Sequence, residues 1–139
     1  MKDIVDLIAR ICIALIFLWE AWDSTAHYQL TKASMQGYNI TFAQDFLLVS
    51  AIILMIVGGT LMLTGYRSGF GAILLLLFYV PSTFIIHSWW NDPADMQREQ
   101  SILFMKNIAI IGGLLMVYVN GSGKYSIKRL FATTRVPRR

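Results

Sequence analysis

Four long apolar stretches make up most of this 139-residue chain, over Ile4–Trp22, Phe46–Leu63, Phe70–Trp90 and Ile102–Val119. Each has about the 17–25 residues that a helix needs to cross a hydrocarbon core. All four tryptophans fall at matching ends of them: Trp19 and Trp22 close the first stretch, Trp89 and Trp90 the third. Tryptophan favours the membrane–water interface, where its ring is half-sunk and its N–H can be wet. After up-and-down crossings, the ends of the first and third stretches lie on one side. The chain is therefore expected to be an all-α integral membrane protein, a bundle of four transmembrane helices. Their expected spans are about 4–22, 42–65, 70–90 and 93–119, with a basic tail over 120–139.

Composition leaves little else to place. The chain is 56% hydrophobic and 14% charged, so four helices and short connections use nearly all of it as one domain. The first stretch ends in bulky Leu18-Trp19-Glu20-Ala21-Trp22, not in a small-residue cleavage site, and reads as a retained helix. The one cysteine, Cys12, cannot form an internal disulfide or a four-cysteine metal site and reads as a small apolar filler.

Charge sets the expected orientation. Lys2, Arg67, Lys124, Lys128, Arg129, Arg135, Arg138 and Arg139 lie on the side of the termini, and only Lys32 and Arg98 in the loops on the tryptophan side. Basic residues stay in the cytoplasm, which puts both termini there. The net charge of +4 then reflects topology and contact with lipid headgroups, not nucleic-acid binding.

Local signals place the helix starts. Thr41-Phe42-Ala43-Gln44 has capping-box spacing, with Asp45 in the first turn after it. Asp92-Pro93 reads as a cap and first helical residue. Pro81 should kink the third helix, its freed carbonyl being met by Ser82, Thr83 or a neighbouring helix. Residues 58–69, GGTLMLTGYRSG, align with 112–123, GGLLMVYVNGSG, at six of twelve positions, as a two-helix internal duplication would give. Gly58-Gly59 and Gly112-Gly113 are the candidate close helix contacts.

Two groups of polar residues stand within the apolar stretches. Asp6 and Arg10 are one turn apart with the acid first, so they share a face. They form either a structural pair that orients the first helix or a proton or headgroup site. Nearer the tryptophans lie Glu20, His87, Lys106 and Asn107, with His27 just past the first helix. An acid, an imidazole and an ammonium at an apolar boundary either glue helices together or hold the polar head of a quinone. Two histidines, one in a loop, disfavour bis-histidine haem, and the ligands for a closed zinc site are lacking. No nucleotide-binding or hydrolase motif occurs.

In this order the residues resemble the DoxX family of small four-helix membrane proteins. The resemblance rests on Arg10, on Gly58-Gly59 running into Gly65-Tyr66-Arg67, on His87, and on Lys106-Asn107-Ile108-Ala109-Ile110-Ile111-Gly112-Gly113-Leu114-Leu115 followed by Asn120-Gly121-Ser122-Gly123. Many members carry an acid early in the second helix, where this chain has Ser50 and, nearer the end, Asp45. The resemblance implies an inner-membrane bundle linked to redox chemistry, since the related DoxD is the membrane subunit of a thiosulfate:quinone oxidoreductase. Two roles follow. One is a non-catalytic accessory subunit that packs against other membrane subunits or itself. The other is a quinone-interacting oxidoreductase subunit.

Overall fold

The computed structural model describes residues 2–123, 125 and 126. The basic tail therefore lies largely outside the described residues. Among these, the regular structure is helical throughout: α1 (Lys2–Ala26), α2 (Tyr28–Gly37), α3 (Gln44–Thr64), α4 (Ser68–Ile86) and α5 (Ala94–Asn120), with a single 3-10 turn at Trp89–Asn91 before α5. Three segments are long and apolar enough to cross a membrane: Gln44–Thr64, Ser68–Asn91 and Ala94–Asn120. α1 has the length but is interrupted by Asp6, Arg10 and Glu20.

The four long helices pack as a ring. α1 lies along α3, α3 along α4 and α4 along α5, while α5 meets α1 more sparsely. The core where they converge holds Ala14, Phe17, Met55, Met62, Leu75, Tyr79 and Leu114. Phe17 of α1 reaches across to set its ring edge-on against Tyr79 of α4, with centroids 4.9 Å apart. α3 is central and α5 peripheral. Over their most apolar stretches 39% of α3 is buried but only 11% of α5.

Glycine makes the tightest crossing possible, though not at every expected position. A Cβ on Gly58 would sit 2.7 Å from Leu75, and one on Gly59 would sit 3.0 Å from Leu18. Both therefore lie where neighbouring helices press closest. The partner of Gly58 is a residue that sequence reasoning passed over. Gly71 at the start of α4 would bring a Cβ within 2.7 Å of the Gly58 carbonyl oxygen, so two backbones touch there. In the second pair, Gly113 faces Ile13, but Gly112 has nothing within 4 Å and is exposed. Gly112 is thus not a helix contact, because it lies on the side of α5 turned away from α4 and α1. Of the aligned segments, Ser68 and Ser122 meet each other, their hydroxyls 2.8 Å apart.

Other boundaries differ from expectation for local reasons. The 23–45 region is not a loop. α1 continues to Ala26, and α2 follows after a break at His27. α2 has no buried residue and too short an apolar run to stand out in sequence. α3 starts from Ala43 in the left-handed region (φ 47°) with no side-chain cap, and Gln44 instead donates to the Ile40 carbonyl. The capping box does not form. α5 is preceded by Pro93, not Asp92, in the cap position. α4 passes through Pro81, and Ser82 and Thr83 both donate their hydroxyls to the Tyr79 carbonyl.

Candidate functional site

At the end of the bundle where α1 begins, the expected Asp6–Arg10 pair forms. Arg10 Nε donates to Asp6 Oδ2 at 3.1 Å, with the arginine fully buried and the acid 22% exposed. The other two guanidinium nitrogens leave the helix. Nη1 donates to the Met62 carbonyl at 3.3 Å and Nη2 to the Tyr125 carbonyl at 2.6 Å. Arg10 therefore does not snorkel to lipid phosphate. A planar fork of donors is suited to such a meeting point of separate acceptors. The Met62 carbonyl, in the last turn of α3, already accepts a 3.2 Å bond from the Gly65 N–H, and the guanidinium is its second donor. Gly65 ends that helix in the left-handed region (φ 68°), and any Cβ there would collide with the Arg10 guanidinium. Gly123 is packed equally closely against the Asp6 carboxylate, at 2.6 Å from a would-be Cβ. Three chain segments thus close around one cation.

Toward the tryptophan end a second polar group lies between α1, α4 and α5. Tyr79 donates its hydroxyl to Asn107 Oδ1 at 2.8 Å, and Asn107 Nδ2 donates to Thr83 Oγ1 at 3.3 Å. Thr83 donates its hydroxyl to the Tyr79 carbonyl at 2.7 Å, closing a loop of bonds between two helices. One turn beyond Thr83, His87 Nδ1 is 2.8 Å from Gln100 Oε1. Glu20 is half-buried and close enough to His87 and Tyr79 for its charge to act on both.

Of the four residues expected in this group, the fold brings Glu20, His87 and Asn107 to one region. Lys106 is elsewhere. It is exposed on the outer side of α5, beside Ser101, Ile102, Met105 and Ala109. Consecutive helical residues point about 100° apart, so with Asn107 facing inward Lys106 cannot. Tyr79, Thr83 and Gln100 complete the group and were not foreseen. The sequence signal for them was weak, since tyrosine and threonine are ordinary in membrane helices. His27 pairs with Asp23 at 3.1 Å on the exposed surface. Among the described residues no cluster of three metal-ligating side chains occurs, and no buried side-chain polar atom lacks a hydrogen-bond partner.

The tryptophans hold the rim. Trp19 and Trp22 meet at 5.2 Å between centroids with their rings tilted by 42°, and Trp90 sets its ring edge-on to Phe104 at 5.8 Å. On this side α2 is fastened to the start of α3. Lys32 Nζ reaches both Asp45 oxygens, at 2.8 and 2.6 Å, and the Tyr28 hydroxyl donates to Oδ1 at 2.9 Å. The neighbouring carboxylate pushes the Tyr28 phenol above its ordinary pKa.

Long apolar helices, a rim of tryptophans and polar groups turned inward define a small helical membrane protein. The family model for DoxX matches residues 5–88. The chain is 30% identical over 130 residues to the inner membrane protein YqjF of Escherichia coli, covering 94% of both chains. It belongs to the DoxX family. It is also 23% identical to the inner membrane protein YphA of the same organism, over 92% of this chain and 91% of that one. A 77-residue stretch, 54% of this chain and 26% of its relative, is 30% identical to the Surfeit locus protein 4 homolog of Schizosaccharomyces pombe. No solved structure matches the chain significantly.

Proposed function

We propose that this DoxX-type protein is a four-crossing inner-membrane scaffold, a non-catalytic accessory subunit of a larger, redox-linked membrane complex, with both termini in the cytoplasm. α1 supplies the fourth crossing in this reading. It runs beside α3 from Arg10 against Met62 to Leu18 against Gly59, and its one buried cation is paired. The biased placement of Lys and Arg supports the orientation.

The observation that carries the accessory reading is the state of the polar groups. Each buried side-chain donor and acceptor among the described residues is already bonded within the bundle. Polar residues between membrane helices used in this way are glue. A site poised for chemistry keeps groups aimed at where a substrate will sit. A second reading, a quinone-binding subunit, is favoured by the closeness of Glu20, His87 and Asn107 near the tryptophan rim, with Lys106 no longer part of it.

Purification from native membranes in a mild detergent separates the two. The accessory reading expects fixed-stoichiometry membrane subunits in one complex and no bound quinone. A monomer that carries one extractable quinone, lost in Glu20→Gln or His87→Ala, would overturn it in favour of the second reading.

A further inference from the structure

Lys106 serves no purpose inside the bundle. It lies in the apolar part of α5 and faces outward, flanking a shallow groove floored by Ile102, Met105 and Ala109. Further along the same stripe comes Gly112, whose missing side chain leaves open space, and then exposed Met116. The three ion pairs among the described residues do not include Lys106.

The depth of this lysine can be read from the aromatic rim. The Trp90 ring rests against Phe104. The Lys106 backbone is two residues further in, about 3 Å along the axis. A helical side chain leans toward the N-terminus of its helix, which for α5 is the tryptophan end. The stretched stem therefore carries the ammonium back to the level of the Trp90 ring, where lipid headgroups lie. Arg98 is exposed two turns nearer the water, four residues before Ile102 and so on the same side of α5. The acids on this side of α5 are Glu99, seven residues before Lys106 and about 10 Å up the axis, and Asp95, eleven before it and about 16 Å up. Ser101 has already donated its hydroxyl to the Arg98 carbonyl at 2.8 Å.

We propose that this face of α5 is a binding site for an anionic phospholipid. The phosphate sits on the Lys106 ammonium. One acyl chain runs along Ile102, Met105 and Ala109 and over the gap at Gly112. Arg98 adds a second positive charge at the mouth. Charge complementarity selects the lipid: a cation at headgroup depth above an apolar channel matches a phosphate followed by a hydrocarbon chain, and a zwitterionic lipid presents less net negative charge to it.

The test uses the whole protein, delipidated in a non-ionic maltoside detergent and supplied with dioleoylphosphatidylglycerol or dioleoylphosphatidylcholine. Native mass spectrometry counts retained lipids. The wild type should hold phosphatidylglycerol about fivefold more tightly than phosphatidylcholine, the scale of one basic residue near an anionic surface. Lys106→Gln should abolish the preference and Lys106→Arg should keep it. Glu99→Gln should increase it by removing the nearer competing acid. Because Lys106 is exposed, the Gln variant leaves the helix contacts untouched, and an unchanged melting profile without added lipid confirms that it is folded. A Lys106→Gln variant with the wild-type preference would overturn the proposal. So would a wild type with no preference that forms a dimer lost in Lys106→Gln, which would make this face a contact between copies.

Discussion

Replacing Arg10 with methionine gives the most direct test of how the bundle is held. The substitution keeps an unbranched apolar stem of similar reach and removes three donor bonds, to Asp6, Met62 and Tyr125. Bonds from a charged donor contribute about 1.5 kcal/mol each at the low end, or about 4–5 kcal/mol for three. Burying the guanidinium itself is unfavourable, and its removal offsets part of that loss. Asp6 is 22% exposed, so its carboxylate recovers some hydration once unpaired. The net expectation is a loss of about 3 kcal/mol. Arg10→Met with Asp6→Asn should recover about 1 kcal/mol of it, because the orphaned charge is gone. Arg10→Lys should fall between, since a compact ammonium cannot reach three separated acceptors at once. Unfolding in mixed micelles of rising SDS fraction measures these differences. A loss below about 1 kcal/mol, the level of an exposed ion pair, would refute the reasoning, as would a double variant no better than the single.

Further outcomes follow from other contacts. Gly71→Ala should destabilise by about 1–3 kcal/mol, because its Cβ meets a backbone oxygen that cannot rotate away, while Gly112→Ala should be neutral or stabilising by up to about 1 kcal/mol; paired micelle titrations compare them. Asn107→Leu should cost about 1–2 kcal/mol, and a double-mutant cycle with Tyr79→Phe should show coupling, whereas strict additivity would deny the bond between them. Asp45→Asn should bring the Tyr28 phenol back down toward its ordinary pKa, read by NMR titration of labelled tyrosine; no movement would mean that the contact is not held in solution. In a Cys12→Ala background, an impermeant thiol reagent added to intact cells should label Ser34→Cys and spare Asn120→Cys; the reverse would invert the proposed orientation.

What could be read from the sequence divides by how far each signal depends on packing. Long apolar runs mark helices because lipid offers the backbone no other partner, so α3, α4 and α5 were legible. The Asp6–Arg10 pair was legible too, since both residues share one helix and one turn fixes their reach. Which way a membrane helix turns was not. In a soluble helix the apolar stripe marks the inner face, but in lipid both faces are apolar. Lys106 and Asn107 therefore looked interchangeable, and one points to lipid while the other bonds Tyr79. The same ambiguity hid the outward-facing Gly112 and the inward role of Gly71. α2 escaped for a different reason. It lies outside the long apolar runs, and its link to α3 through Lys32 and Asp45 joins residues 13 apart in sequence, which no helical spacing predicts.

The Arg10 junction also bears on how such a chain is made. Its three acceptors are separated from Arg10 by 4, 52 and 115 residues. Synthesis proceeds from the N-terminus, so Asp6 is made before Arg10, the Met62 carbonyl only with α3, and the Tyr125 carbonyl only after α5. At about 5–20 residues per second, the interval between the first acceptor and the last is several seconds to some tens of seconds. Throughout it the nascent α1 carries a cation with an incomplete set of partners, and a helix in that state inserts less readily than its neighbours. Assembly is thereby ordered by the geometry of one side chain. α1 is made before the helices it packs against and is the last to be fully settled, and a chain halted before Tyr125 leaves a bundle that is still open at its Arg10 end.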